Sequence, residues 1–159
     1  MGGQGTGSGE PRADIRRVPV GRPPDQSALI WREQGRFAVS EVSAELRQFV
    51  SDALKALGLE AEGAPLLVRH GPGQRGLPPV PSGGSWRFVL ELTDARRTMD
   101  GGLLLFVEGT SRVRGWRAEA GMMTLWRADD PDLTELAPGS PDRVMLLGRA
   151  RTVEGRAPA

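Results

Sequence analysis

Cysteine is absent from the 159-residue sequence, and histidine occurs only once, as His70. The lack of cysteine excludes disulfide frameworks, thiolate nucleophiles and cysteine-ligated zinc sites. The single histidine excludes any metal site that needs two imidazoles from this chain, and it restricts a histidine base to position 70. Aromatic residues make up only 5% and hydrophobic residues 38% of the chain. The sequence therefore supplies one modest hydrophobic core, as expected for a single domain of this length.

An excess of one charge and a long apolar run are also missing. The 21 basic residues are interleaved with 20 acidic residues, so the net charge is only +1, whereas proteins that bind nucleic acids usually concentrate basic residues in a patch. The longest apolar run, residues 103–107, is too short to span a membrane. Residues 1–9 have neither the basic nor the apolar region of a secretory signal. We therefore expect a cytoplasmic protein that binds neither nucleic acid nor a membrane.

Glycine, proline, arginine and serine dominate residues 1–26, which contain only three large aliphatic side chains. Such a segment buries too little apolar surface to offset the entropy lost on ordering. We therefore predict a disordered arm over residues 1–26, a single domain over residues 27–154, and a disordered tail over residues 155–159.

The strongest local pattern lies in residues 41–57, where apolar residues recur every three or four positions. They are Val42, Leu46, Phe49, Val50, Ala53, Leu54 and Leu57. This spacing predicts an amphipathic helix that packs on the rest of the domain through its apolar face. Ser40 is the predicted N-cap, and Gly58 is predicted to take left-handed geometry at the other end.

After the helix, the apolar pattern changes to that of β-strands. Strands are predicted over residues 66–70, 86–92, 103–107, 113–116, 122–126 and 144–150, and two short extended segments before the helix cover residues 28–31 and 36–39. One helix and about six strands predict a mainly β (α+β) domain, a sandwich or barrel that is braced by the helix. Trp86 and Trp126 are predicted to lie in its core.

Five short motifs follow one another in the order found in a known family. They are His70-Gly-Pro-Gly73, the strand that ends in Leu92-Thr-Asp94, the turn Gly101-Gly-Leu-Leu104, the segment Gly121-Met-Met-Thr-Leu-Trp126, and Arg143-Val-Met-Leu-Leu147. Through these motifs, residues 65–150 resemble the catalytic core of the 2-oxoglutarate- and iron(II)-dependent dioxygenases of the prolyl 4-hydroxylase type. The resemblance implies a double-stranded β-helix, which is a jelly-roll-like sandwich of eight strands.

In this family, two histidines and one carboxylate hold the iron and leave positions open for 2-oxoglutarate and oxygen. The resemblance places the three ligand positions near Pro79, Pro81 and Thr134, and His70 alone cannot replace two imidazoles. We therefore predict a degenerate member of the family that lacks the metal triad, has no cofactor, and is not an iron- and 2-oxoglutarate-dependent oxygenase.

The resemblance matches Arg143 to the family's arginine that binds the distal carboxylate of 2-oxoglutarate through its planar fork. Two interpretations of Arg143 are open. It binds another carboxylate inside the sandwich and has no acidic partner within the chain, or it is a structural residue that pairs with Asp142 or Asp132. His70 either hydrogen-bonds the neighbouring loop or acts as the catalytic acid–base group.

The predicted ligand-binding set is Arg143, His70, Trp126 and Thr134. The expected function is that of a partner or regulatory protein that binds a small carboxylate, a peptide, another protein or a second copy of itself. Two alternatives are open: an enzyme with metal-independent acid–base chemistry at His70, Arg143 or Glu119, and an unrelated structural β-domain.

Overall fold

A computed structural model describes residues 15–25, 29–34, 37–70, 86–94, 104–108, 112–117, 119–127 and 143–153. Within these ranges there are one helix and nine strands. In chain order they are β1 (Arg16–Pro19), β2 (Arg32–Gln34), β3 (Phe37–Ser40), α1 (Ala44–Ala56), β4 (Leu59–His70), β5 (Trp86–Glu91), β6 (Leu104–Glu108), β7 (Arg112–Trp116), β8 (Met122–Arg127) and β9 (Arg143–Thr152).

The helix begins three residues later than its pattern suggests. The hydroxyl of Ser43 accepts a hydrogen bond from the backbone N–H of Leu46, at 3.1 Å, and caps the helix. The predicted cap at Ser40 is wrong because Ser40 pairs with Leu67 as the last residue of β3. Gly58 has a φ of 76° and follows the end of the helix, as predicted.

The apolar face of α1 packs on the sheet, which confirms its role as a brace. Leu46, Val50 and Leu54 are buried, whereas Phe49 is only partly buried against the same core. No helix among the described residues is long and apolar enough to cross a membrane.

Seven antiparallel strands form the main sheet in the order β1-β8-β5-β9-β4-β3-β2, and β6 pairs with β7 in a second sheet. At the centre of the main sheet, β4 pairs with β9 along almost its whole length. β4 is longer than predicted, because it starts at Leu59 immediately after the helix and passes through an irregularity between Glu62 and Leu66.

The two faces of the main sheet carry separate hydrophobic clusters. The face that packs on α1, here called the helix face, includes Trp86, Phe88 and Leu125. The opposite face, here called the inner face, includes Val89 and Trp126, and Trp116 of β7 packs against it. The alternation of side chains along each strand produces this division. Trp86 and Trp126 are both buried, as predicted, but on opposite faces. A mainly β domain braced by one helix is thus the observed fold class.

The disordered arm predicted over residues 1–26 is wrong for the part that contains β1. β1 pairs with β8 over four positions and forms one edge of the main sheet. Val18 packs against the core of the helix face, and the guanidinium of Arg16 lies 5.4 Å from the centre of the Trp86 ring. Strand pairing and this cation–π contact supply the stabilisation that composition alone does not reveal. Residues 1–14 and the predicted tail over residues 155–159 lie outside the described residues.

Candidate functional site

Arg143 and Glu91 form a buried ion pair on the inner face. Arg143 is 3% exposed and Glu91 is 1% exposed. The Nε of Arg143 donates to Oε2 of Glu91 at 3.0 Å, and its Nη2 donates to Oε1. The planar guanidinium therefore meets both carboxylate oxygens, the arrangement that gives strong, charge-assisted hydrogen bonds.

Strand pairing places the two residues side by side. Glu91 is the last residue of β5 and is in register with Met145, and Arg143 lies two residues before Met145 on β9. Side chains at such diagonal positions share a face and are within reach of each other when they are long. The backbone beyond Glu91 is fixed as well, since the N–H of Leu92 donates to the carbonyl of Val144 at 3.0 Å.

Burial raises the pKa of the Glu91 carboxyl, and the charge and hydrogen bonds of Arg143 oppose this rise. A carboxylate away from water is tolerated only when a partner compensates for its lost hydration. The guanidinium of Arg143 provides that compensation, so the two residues depend on each other.

The structure contradicts the first of the two interpretations, in which Arg143 has no acidic partner within the chain. Its partner is Glu91, which neither sequence-based interpretation named. Alternation along residues 86–92 suggests that Glu91 faces solvent, but both faces of β5 are covered, one by the helix and one by the inner-face cluster. An acid near the end of one central strand and an arginine at the start of another are the only signals in the sequence.

The structure brings His70 close to Arg143 in the backbone. His70 is the last residue of β4, and its Cα is in register with that of Arg143 on β9. Trp126 lies farther along the inner face. It is in register with Arg87 on β5, and Arg87 is in register with Arg149 on β9. Arg149 is six residues beyond Arg143 on β9, which corresponds to about 20 Å along a strand.

The remaining candidates are Glu119 and three positions that the structure does not describe. Glu119, a residue of the predicted acid–base alternative, is exposed in the turn before β8. Thr134 lies outside the described residues, as do the predicted ligand positions near Pro79 and Pro81. Ligand binding by Arg143, His70, Trp126 and Thr134 stays a prediction.

Comparison with known proteins identifies the fold. No protein-family model and no curated protein matches the sequence. Among solved structures, the chain is similar to the crystal structure of a Pseudomonas putida prolyl-4-hydroxylase, with a TM-score of 0.51 and 17% sequence identity, over 89% of this chain and 94% of that one. The chain has a dioxygenase-like fold. The fold implied by the sequence resemblance is therefore confirmed, whereas the loss of the metal triad stays a prediction.

The described residues do not fit the iron and 2-oxoglutarate that the resemblance implies. The fork of Arg143, which would receive a carboxylate of 2-oxoglutarate, is bound to the carboxylate of Glu91. The sequence has one histidine where the family's iron site needs two. In the part of the chain that the structure describes, no three acidic or histidine side chains are grouped to hold a metal ion.

Proposed function

We propose that this protein is a non-catalytic member of the dioxygenase fold that acts by binding a small molecule, a peptide or a protein partner. The observation that carries the proposal is the buried ion pair between Glu91 and Arg143. It fills, with a carboxylate from the chain itself, the position at which the resemblance expects the carboxylate of 2-oxoglutarate.

An internal carboxylate has a large advantage over one in solution. Glu91 is held beside Arg143 by two strands of one sheet, so its effective concentration exceeds that of a free metabolite. A free carboxylate that displaced it would also leave Glu91 buried without its main partner, which is strongly unfavourable. Arg143 in the wild-type protein is therefore a structural partner of Glu91.

An assay of the oxygenase reaction tests the absence of catalysis. We expect that protein incubated with iron(II), ascorbate, oxygen and 2-oxoglutarate yields no more succinate than a blank without protein. Elemental analysis after iron loading and desalting is expected to find far less than one iron per chain. Succinate above the blank, or near-stoichiometric iron bound with sub-micromolar affinity, would contradict the proposal.

A thermal-shift experiment tests the role of Glu91 directly. In Glu91→Ala the fork of Arg143 is open, and we expect 2-oxoglutarate and succinate to raise the melting temperature of this variant in proportion to ln(1 + [L]/Kd). The matched control is Glu91→Gln, which keeps the space filled and should gain much less. Adding Arg143→Met to Glu91→Ala should abolish the part of the gain that exceeds the response of the wild type. A rise in wild-type protein that disappears in Arg143→Met would show instead that Arg143 is open to ligands.

A further inference from the structure

Nε of Arg17 on β1 and Oγ1 of Thr124 on β8 are buried polar atoms on the inner face that have no hydrogen-bond partner among the described residues. Thr124 is fully buried. Buried polar atoms in proteins are almost always hydrogen-bonded to protein, water or a ligand, so this pair indicates that another molecule completes the site.

Strand register brings the two side chains together. Arg17 and Thr124 are Cα partners in the pairing of β1 with β8, so their side chains leave the same face of the sheet close to each other. That face is the inner one, because Trp126, the next residue but one after Thr124, belongs to the inner-face cluster. The N–H donor of Arg17 and the O–H donor of Thr124 thus lie near each other on the inner face.

Apolar side chains flank this pair on two sides. The guanidinium of Arg17 lies 5.1 Å from the centre of the Trp116 ring, within cation–π distance. On the other side of Thr124, its Cα partner on β5 is the fully buried Val89. Hydrogen bonds to a charged group are stronger in such a poorly hydrated place than at an open surface.

None of the described charged groups near Arg17 forms an ion pair with it. Glu119, Glu91 and Arg143 all act on its guanidinium. The Glu91 carboxylate is bound to Arg143, and Glu119 is exposed to solvent. Burial lowers the pKa of Arg17, although both acids oppose the change. Its positive charge is therefore only partly compensated.

We propose that Arg17 and Thr124 form a binding site for an oxyanion, the carboxylate or phosphate group of a small molecule, with Trp116 stacked on the guanidinium. The inference rests on the proposed binding function and names its ligand class. The Nε–H of Arg17 and the hydroxyl of Thr124 donate to oxygen atoms of the anion, and the aromatic ring holds the guanidinium in place.

Thermal shift at constant ionic strength tests the site with succinate and inorganic phosphate as separate probes and chloride as the reference salt. We expect a saturable rise in melting temperature with at least one of the two oxyanions, and the more effective one identifies the ligand's anionic group. Arg17→Met and Thr124→Val should each weaken the apparent Kd by about tenfold or more, because each removes a donor to a charged group.

The chain offers a matched control in the adjacent arginine. Arg16→Met removes an equal charge from the same strand, but Arg16 stacks on Trp86 of the helix face, so this variant should keep the full response. Thr124→Val preserves the shape of a buried side chain, and its own melting temperature shows directly whether it folds.

Three results would contradict the proposed site. The first is no shift in melting temperature with either probe, and the second is a shift that chloride reproduces. The third is a shift that Thr124→Val and Arg17→Met retain. A response that Arg143→Met abolishes while Arg17→Met retains it would place the anion on the other arginine. These outcomes leave the oxygenase assay unaffected. Conversely, succinate formation would contradict the non-catalytic function without involving Arg17.

Discussion

Truncating Glu91 to alanine is expected to destabilise the protein severely. The carboxylate and the guanidinium are 1% and 3% exposed, and the substitution leaves the charge of Arg143 buried without its main partner. Breaking a buried ion pair in this way costs about 3–5 kcal/mol. Because a domain is stable by only about 5–15 kcal/mol, Glu91→Ala should lose a large share of its free energy of unfolding.

Removing both partners together should cost far less. In Glu91→Leu combined with Arg143→Met, no charge is left without compensation and apolar side chains fill much of the space. Replacing a buried ion pair by well-packed apolar residues is often neutral or stabilising, by about 1–4 kcal/mol. The double variant is therefore expected to be more stable than the summed effects of Glu91→Leu alone and Arg143→Met alone would give, and this difference from additivity gives the coupling energy.

The two single variants should differ in their dependence on pH. In Arg143→Met, Glu91 loses the main group that opposes the rise of its pKa, so it takes up a proton on folding. A carboxyl whose pKa is higher in the folded state stabilises the fold below its unfolded pKa and loses that contribution as the pH rises through the folded pKa. Arg143→Met should therefore become less stable from about pH 5 upwards, relative to Arg143→Met with Glu91→Gln. Glu91→Ala leaves an arginine, which cannot lose its proton in this range.

Urea unfolding followed by tryptophan fluorescence and circular dichroism measures each of these free energies. Parallel titrations at pH 5 and pH 8 separate the effect of charge from that of packing. The reasoning would be refuted if Glu91→Ala unfolded within about 0.5 kcal/mol of the wild type, which is the range of an ordinary surface substitution. It would also be refuted if the effects of the two single substitutions were simply additive.

Three further predictions concern the frame of the fold. Leu54→Ala should lower the free energy of unfolding by about 2–5 kcal/mol, and Phe49→Ala should lower it less because Phe49 is only partly buried. Urea midpoints equal to that of the wild type in both variants would contradict the packing of this helix face. Gly148→Ala places a Cβ 2.5 Å from the ring of Phe88 and should cost about 1–3 kcal/mol through overpacking, a loss that Phe88→Leu in the same chain should partly restore. Deleting residues 1–20 removes β1 and should lower the melting temperature, whereas a deletion that ends before β1 should preserve the sheet; an unchanged melting temperature in the first case would mean that β1 does not stabilise the domain.

Local patterns in the sequence predict most of the elements. The helix is recognisable because Leu46, Val50 and Leu54 recur with helical spacing, and the strands from residue 86 onwards because apolar residues alternate there or form short runs. β1 is missed because its stabilisation comes from pairing with β8 and from arginine–tryptophan stacking, which depend on residues far away in the chain. Composition measures how much surface a segment can bury but not which strand edge it pairs with.

The candidate site is less accessible to prediction than the fold. Arg143 is identified through a family resemblance, but its partner depends on the register between β5 and β9, which the sequence does not encode in any short motif. Glu91 has polar character at an alternating position, and that pattern normally indicates a solvent-facing side chain. Glu91 is buried because the inner face of the sheet is covered as well as the helix face. Arg17 is missed because it lies within residues 1–26, whose composition predicts a disordered arm.

The position of β9 in the sheet has a consequence for synthesis of the chain. β9 is the last described strand in the sequence, yet it lies between β5 and β4 and pairs with both. While the ribosome has not yet released residues 143–153, neither of these strands has its central neighbour, and both expose an unpaired edge. Such long-range pairing slows folding, and unpaired edges promote aggregation. The main sheet is therefore complete only after β9 has left the ribosome. Chaperones that bind exposed strand edges should associate with the nascent chain more than with the folded protein.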